Sequence, residues 1–447
     1  MTQFRISGLI VLLASVVAFP CPGRAAAPPP VVPVVANAAV AEVEWQKLET
    51  KPVPFRDPRH ILSAGLYDRE LQHTITFPNP NPGVPVDLEL PHFGKDKNGK
   101  DYPPLMAHLA QGAVWIDLNG DGKVSADETR RFTPDGFTDP FTAELHYEDG
   151  TSGPYTFCLK TLLENEKYSL QRAGAREVTF QNTKLLLLDE DGNGKYSDEH
   201  DAIVVGDAPP CLIGKYIAIG DKYYEIVVHA AGSIEIRPAP KMDTGTVDMF
   251  LAYKPSQKAE SLTIHSVVIS GPTGSYAFDE KHRTLKVPVG AYDMVFGLFE
   301  RSKEWAYMKK GERTTFTVAP NKVSAPPWGG TVTAKFDIQS DGTQITVDKP
   351  VFIGDASEHY VIENYRQVAV IANLVAVFTD TTKLEHRTPV GSQKFKATPE
   401  GDLSPLIFKA AHTNSDYEVS VDLTSGILGS VLSRQKFHFV YKKKEKK

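Results

Sequence analysis

The sequence predicts a mainly β protein, with an N-terminal β-rich domain that carries two acidic loops, followed by two small β-sandwich domains. Short runs of Val, Ile, Tyr and Phe alternate with clusters of Gly, Asn, Asp and Pro, a pattern typical of strands separated by turns. Apolar and polar residues alternate at 418–422 (EVSVD), which indicates a strand with one buried and one solvated face. Helical periodicity is scarce; residues 60–71 and 103–112 are its best candidates.

Proline-rich stretches at 237–245 and 318–330 set the predicted domain boundaries. A chain of 447 residues is long enough for about three domains. The predicted organisation is a signal peptide (1–25), an Ala/Pro/Val-rich linker (26–44), a β-rich domain with the two acidic loops (45–240), a β-sandwich-like domain (241–330) and an immunoglobulin-like β-sandwich with a basic C-terminal tail (331–447).

The N-terminal segment has the features of an export signal. Arg5 precedes an apolar stretch at 8–20 that is too short to span a bilayer. Small residues ending at Ala25 predict cleavage there. Cys21 offers lipid anchoring as an alternative, but Pro20 departs from the Leu-Ala-Gly-Cys pattern of lipoprotein signals. We therefore expect a chain exported to the periplasm, the cell surface or the medium, with no transmembrane segment in its mature form.

Two cysteines, Cys158 and Cys211, follow the predicted cleavage site. An oxidising compartment permits a disulfide between them. Such a bond would stabilise the fold by about 4 kcal/mol in the chain-entropy description. Two separate buried thiols are the alternative.

The first acidic loop, residues 117–128 (DLNGDGKVSADE), places an oxygen donor at nearly every second position. Gly122 stands at position 6, where a sharp turn needs a residue without a side chain, and Lys123 offers its backbone carbonyl at position 7. The loop resembles the EF-hand calcium loop over all twelve residues. The resemblance implies a Ca²⁺ site formed by Asp117, Asn119, Asp121, Lys123, Ser125 and Glu128.

The second acidic loop, residues 189–201 (DEDGNGKYSDEHD), follows the same pattern with one departure. Position 12 is His200, which cannot supply the bidentate carboxylate that closes an EF-hand site. Asp198 or Asp201 can substitute for it. The resemblance implies ligands at Asp189, Asp191, Asn193, Lys195, Asp198 and Asp201.

Apolar segments typical of strands precede both loops, at 112–116 and 184–188, and another follows the second loop at 202–206. Residues 125–131, at the end of the first loop, are expected to form at most one helical turn. A calcium sensor needs a helix on each side of its loop, because the opening of that helix pair exposes the target surface. The loops therefore resemble those of secreted bacterial modules more than those of calmodulin. This context predicts that the ion is structural.

The C-terminal half contains a second resemblance. Residues 284–289 and 292–299 are expected to pair as a hairpin across Gly290, and the Pro-Val-Gly-x-Tyr sequence there resembles a hairpin of small transthyretin-like and immunoglobulin-like sandwiches. Closely spaced strand-like segments after residue 330 favour another sandwich.

The sequence gives an ion and an architecture but no reaction. A formal net charge of −6 gives no support for nucleic-acid binding. The sequence has no His-Glu-x-x-His, Gly-x-Ser-x-Gly or Cys-x-x-Cys motif. We expect an exported, calcium-stabilised module that binds an extracellular protein or a polysaccharide. The alternatives are a carbohydrate-active extracellular hydrolase whose active site is not visible in the sequence, and a subunit of an envelope assembly.

Overall fold

The structure is a computed structural model in which Val43–Lys447 form one compact unit. The described residues are 43–55, 74–76, 86–88, 105–110, 113–119, 121–123, 125–134, 136–161, 167–253, 262–301, 304–326, 328–362, 374–381, 388–396, 403–409, 415–424 and 426–440. The predicted signal peptide, nearly all of the linker, Cys21, the helix candidate at 60–71 and the basic tail lie outside these residues.

Strands make up 58% of the structure and no described residue is helical, which confirms the predicted mainly β fold. The described strands up to residue 238 are β1 (Gln46–Leu48), β2 (Lys51–Pro54), β3 (Thr74–Thr76), β4 (Val86–Leu88), β5 (Leu105–Ala110), β6 (Ala113–Ile116), β7 (Thr129–Arg131), β8 (Phe141–His146), β9 (Ser152–Thr161), β10 (Lys167–Arg172), β11 (Gly174–Phe180), β12 (Thr183–Leu188), β13 (Ala202–Val205), β14 (Cys211–Leu212), β15 (Tyr216–Ile219), β16 (Lys222–Val228) and β17 (Ile234–Pro238).

The later strands are β18 (Thr244–Asp248), β19 (Thr263–Gly271), β20 (Gly274–Phe278), β21 (Thr284–Pro288), β22 (Gly290–Arg301), β23 (Glu304–Lys309), β24 (Thr315–Val318), β25 (Val323–Ser324), β26 (Thr333–Lys335), β27 (Ile338–Ser340), β28 (Ile345–Val347), β29 (Val351–Ile353), β30 (His359–Ile362), β31 (Leu374–Asp380), β32 (Thr388–Lys394), β33 (Leu406–Phe408), β34 (Ser415–Leu423) and β35 (Val431–Phe439). No helix long and apolar enough to cross a bilayer occurs among the described residues.

The described strands form eight sheets. Four lie in the N-terminal half, in the orders β1-β17-β16-β15, β3-β10-β9-β8, β14-β13-β12-β11-β2 and β4-β5-β6-β7. The others are β21-β18-β25, β27-β28-β33, β32-β31-β34-β35 and an eight-stranded sheet, β20-β19-β22-β23-β30-β29-β26 with β24 on β22. Among the pairs of described strands, only β18 with β25 is parallel.

Two hydrophobic cores share the eight-stranded sheet. One core contains side chains from residues 48–236 together with five from the eight-stranded sheet, Val268, Ala277, Phe296, Leu298 and Tyr307, and the other contains side chains from residues 247–439. Successive residues of a strand point to opposite faces, so Val267 enters the second core while Val268 enters the first. The central strands of this sheet are therefore buried on both faces. The second core contains side chains from both sides of residue 330. The domain boundaries at 240 and 330 remain predictions.

Two local predictions were wrong. Within the helix candidate at 103–112, the described residues Leu105–Ala110 form β5, because they pair in register with β4 and β6. The expected hairpin across Gly290 does not form either: β21 pairs with β18, whereas β22 pairs with β19, β23 and β24. Val289 alone separates β21 from β22, and hairpin connections commonly need at least two residues to reverse the chain.

Candidate metal centre

Both acidic loops connect two antiparallel strands. Loop 1 (residues 117–128) joins β6 to β7, and loop 2 (residues 189–201) joins β12 to β13. The glycines at position 6, Gly122 and Gly194, have φ of 69° and 86°. Only glycine adopts this left-handed conformation without strain, so the turn that gathers the oxygens depends on these two residues.

Loop 1 brings together the carboxylates of Asp117, Asp121 and Glu128, each with one oxygen within 4.8 Å of the others. Asp117 accepts hydrogen bonds from the backbone amides of Asp121 (3.1 Å) and Gly122 (2.9 Å). The Asn119 side-chain oxygen accepts from the Asp121 amide at 2.9 Å. The first, third, fifth and twelfth predicted ligand positions therefore lie around one point.

The two further predicted ligands of loop 1 are the Ser125 hydroxyl and the Lys123 backbone carbonyl. The Ser125 hydroxyl donates to Glu128 Oε2 at 2.7 Å. The Lys123 amide donates to Asp121 Oδ1 at 2.8 Å.

Glu128 is 3% exposed and is surrounded by neutral donors. Leu118 N donates to Oε1 at 2.9 Å, and Trp115 Nε1 lies 3.4 Å from Oε2. Burial acts to raise the pKa of Glu128, but the hydrogen bonds from Ser125, Leu118, Trp115 and Asn119 outweigh it and lower this pKa. Glu128 is therefore ionised at neutral pH through its protein contacts alone.

Loop 2 brings together Asp189, Asp191 and Asp201, again with one oxygen of each within 4.8 Å of the others. Asp189 accepts from the amides of Gly192 (2.7 Å) and Gly194 (2.8 Å). Asn193 Nδ2 donates to Asp191 Oδ2 at 2.9 Å and to Asp198 Oδ2 at 2.5 Å. Lys195, like Lys123, donates its amide to the preceding side-chain oxygen, at 2.8 Å.

Asp201 occupies in loop 2 the place that Glu128 occupies in loop 1. Glu128 accepts from the amide of the residue after Asp117, and Asp201 accepts from the amide of Glu190, the residue after Asp189, at 3.2 Å. One extra residue in the loop compensates for a side chain that is one methylene shorter. His200 belongs to a different group, with Asp191 and Asp198.

The carboxylates of loop 2 lie deep in the protein. Asp189 is 1% exposed and Asp201 is 0% exposed, and neither forms an ion pair with a described residue. Burial and the neighbouring Asp191 charge raise the pKa of Asp189 to about 8. Burial, together with the charges of Asp189, Asp198 and Asp191, also raises the pKa of Asp201 well above its ordinary value. Without a cation, these groups therefore resist ionisation.

Several residues that support loop 2 were missed by the sequence analysis. The Tyr147 hydroxyl donates to the Gly194 carbonyl at 2.6 Å, and Tyr155 packs edge-on against Tyr196 inside the loop. Arg172 pairs with the buried Glu190 at 2.7 Å. Tyr147 is 47 residues from Gly194, so no local pattern could have found this contact.

Neither Cys158 nor Cys211 forms a disulfide, and both are buried. The predicted disulfide is therefore not formed, and the alternative of two separate thiols describes the structure. Cys158 lies in β9, which pairs with β8 and β10, whereas Cys211 lies in β14, which pairs with β13 in another sheet.

We expect Cys158 and Cys211 to resist a thiol reagent in the folded protein and to react once it is unfolded, without prior reduction. Both thiols are buried, and burial raises the pKa of Cys211 to about 12, which suppresses the reactive thiolate. Mass spectrometry of the labelled peptides measures each site separately. If labelling of the unfolded chain required a reductant, the free-thiol assignment would be wrong.

Comparisons with known proteins add little to this geometry. No protein-family model and no curated protein matches the chain. A solved structure of a leucine-rich repeat protein from Bacteroides thetaiotaomicron is similar over 45% of this chain and 25% of that chain, at 12% identity and a TM-score of 0.14. The match thus spans a quarter of that protein's length, and such a score does not indicate a shared fold.

Proposed function

We propose that this chain is an exported, calcium-binding β protein in which Ca²⁺ is structural, and that it acts as an extracellular or cell-surface binding or structural module. The partner class that fits this role is an extracellular protein or a polysaccharide. The N-terminal signal pattern supports export, and the position of both loops between paired strands supports a structural role for the ion.

One observation carries the proposal: Asp189 and Asp201 are buried together beside Asp191, and their hydrogen-bond donors, backbone amides and the Tyr155 hydroxyl, are neutral. Burying charge without a partner is strongly unfavourable, and a divalent cation supplies the missing partner. One ion at a Ca–O distance of about 2.4 Å can contact three oxygens gathered this closely.

The chemistry of the donors favours calcium. Both loops offer carboxylate, amide and backbone oxygens, which suit hard cations. Magnesium retains several waters and demands near-octahedral geometry, whereas calcium accepts the irregular oxygen shell that a twelve- or thirteen-residue loop provides. A site that holds its ion at about 100 times the dissociation constant contributes about 2.7 kcal/mol to stability.

Titration calorimetry of the purified chain is expected to reveal two calcium sites and much weaker binding of magnesium. The paired substitution Asp117→Ala and Glu128→Gln should remove one of them, since it deletes the two buried carboxylates of loop 1. The same variant should lose part of the rise in melting temperature that calcium produces over EGTA.

The matched control is Asp221→Asn, an exposed acidic residue in the turn between β15 and β16, which should retain both sites. The proposal fails if the native chain gives no heat of calcium binding and melts at the same temperature in calcium and in EGTA.

A further inference from the structure

We infer that a cleft in the second half of the chain binds an uncharged oligosaccharide through two aromatic rings, a carboxylate and a guanidinium group. The described residues that line this cleft, which we call the aromatic cleft, are Phe250, Tyr253, Ile264, Glu280 and Arg283. The inference rests on the binding role in the proposed function, and it adds a site and a class of ligand to that role.

The aromatic cleft is large enough to hold a ligand. Its volume is about 490 Å³, within the range of about 300–1,000 Å³ that small-molecule sites occupy. Glu280 and Arg283 are exposed, Phe250 and Tyr253 are half-buried, and Ile264 is buried. The lining therefore passes from charged groups in contact with solvent to an apolar interior.

Strand pairing assembles the aromatic cleft. β18 and β21 are antiparallel neighbours, so the segment after β18 lies beside the segment before β21. The guanidinium carbon of Arg283 consequently lies 5.1 Å from the centre of the Phe250 ring. Glu280, in the turn between β20 and β21, accepts a hydrogen bond from the Ile264 amide at 3.3 Å. Three separate segments thus contribute side chains to one cleft.

The two aromatic rings are held in place by a buried tryptophan. The Trp328 ring centre lies 4.3 Å from that of Tyr253 and 6.2 Å from that of Phe250. Its indole N–H donates to the Met249 carbonyl at 2.6 Å, and Asp248 Oδ1 accepts from the Phe250 amide at 3.0 Å. A site that is ordered before binding loses less conformational entropy when the ligand arrives.

The polar groups of the aromatic cleft have hydrogen-bonding capacity that the described residues do not use. Glu280 and Arg283 line the same cleft without forming an ion pair with each other or with another described residue. The Arg283 side chain contacts the Phe250 ring but donates no hydrogen bond to a described residue, and Glu280 accepts only from the Ile264 amide. A carboxylate and a guanidinium group are therefore both available to a ligand.

A sugar ring matches this set of groups. A carboxylate only accepts hydrogen bonds and a guanidinium group only donates them, whereas each sugar hydroxyl does both. Neighbouring hydroxyls can therefore bond to Glu280 and Arg283, while the apolar C–H face of the ring covers Phe250 or Tyr253. The formal charges of Glu280 and Arg283 cancel, which favours an uncharged sugar over a uronate or a sulfated sugar.

The surface next to the cleft favours a chain of sugars over a single one. Leu251, which follows Phe250, is the most exposed large hydrophobic side chain of the described residues, at 67%. Apolar surface therefore continues beyond the cleft, where a second sugar ring can cover it.

A glycan array probed with the purified chain tests the ligand class. The array should display uncharged oligosaccharides, among them cellohexaose, maltohexaose, laminarihexaose and mannohexaose, and anionic ones such as hexagalacturonate. We expect binding to at least one uncharged oligosaccharide and weaker binding to the anionic ones. No binding to any uncharged glycan, or a preference for the anionic glycans, would overturn the inference.

Substitutions locate the site, with titration calorimetry of the bound oligosaccharide as the measurement. Arg283→Met and Glu280→Gln should each weaken binding at least about tenfold, because each removes a charged hydrogen-bonding partner of the sugar hydroxyls. Both side chains are exposed, so the melting temperature should stay unchanged. The matched controls, Arg434→Met and Glu312→Gln, replace exposed residues outside the cleft and should bind like the native chain.

Three further outcomes are decisive. Oligosaccharide binding that neither Arg283→Met nor Glu280→Gln weakens would place the sugar elsewhere and overturn the inference. A displayed peptide library that is enriched on the native chain but not on Arg283→Met, with no glycan bound, would assign the cleft to a protein partner instead. Calcium calorimetry of the same samples measures the proposed function separately, so two intact calcium sites without sugar binding would overturn the inference alone.

Discussion

Asp201→Asn is expected to stabilise the ion-free protein and to destabilise the protein in calcium. Without an ion, the substitution removes a buried carboxyl group that keeps its proton in the folded protein at a pH where the unfolded chain releases it, and the free energy of unfolding should rise by about 1–2 kcal/mol. In millimolar calcium, the variant loses a ligand with no replacement, and the free energy of unfolding should fall by about 3 kcal/mol. Urea denaturation in EGTA and in calcium measures both values.

The effect of Asp201→Asn on the free energy of unfolding should change sign between EGTA and calcium. This change distinguishes an ion site from an ordinary polar cluster. A merely structural hydrogen-bonding role for Asp201, through the amides of Glu190 and Asp198, would make the substitution destabilising under both conditions. Asp221→Asn, an exposed control, should alter neither value by more than about 0.5 kcal/mol. Destabilisation of Asp201→Asn by the same amount with and without calcium would remove the basis for an ion in loop 2.

The loops could be predicted from sequence because their information is local. Twelve or thirteen consecutive residues supply the carboxylates and the left-handed glycines, and the strands on either side bring the ends of each loop together. The irregular end of loop 2 could also be predicted, since Asp201 was among the candidates to replace His200. In the structure Asp201 accepts from the Glu190 amide, as Glu128 accepts from the Leu118 amide in loop 1.

Strand pairing could not be predicted in the same way, because it is decided by distant residues. The segments at 284–289 and 292–299 were recognisable as strands, but their partners lie in different sheets. Neighbouring residues of β19 and β22 point to opposite faces of the sheet, but the sequence does not indicate that both faces are buried. The packed structure is what places Val267 and Val268 in separate cores. Local patterns specify an element, whereas its neighbours depend on tertiary packing.

The ion-free protein should lose stability as the pH rises from about 4 to about 8. Asp189 and Asp201 have folded-state pKa values above their unfolded ones, Asp189 near 8, so the folded protein retains protons that the unfolded chain has released. Their contribution is fully present below the unfolded pKa and is lost as the pH rises through the folded pKa, by up to about 1.4 kcal/mol per pH unit for each retained proton. Denaturant melts in a calcium-free buffer series measure this slope.

Calcium should remove most of that slope, because both carboxylates must be ionised to bind it and the calcium-bound protein, like the unfolded chain, then holds no extra protons at them. Four carboxyl groups of the described residues have a lowered pKa and contribute in the opposite sense: Glu128, Asp149, Glu177 and Asp293. Their contribution is lost as the pH falls through their folded pKa values, which lie below the pH window that loop 2 dominates. Replacing Asp189 and Asp201 together by Asn should flatten the slope in calcium-free buffer. If the stability of the native chain depends on pH equally with and without calcium, no ion binds to these two carboxylates.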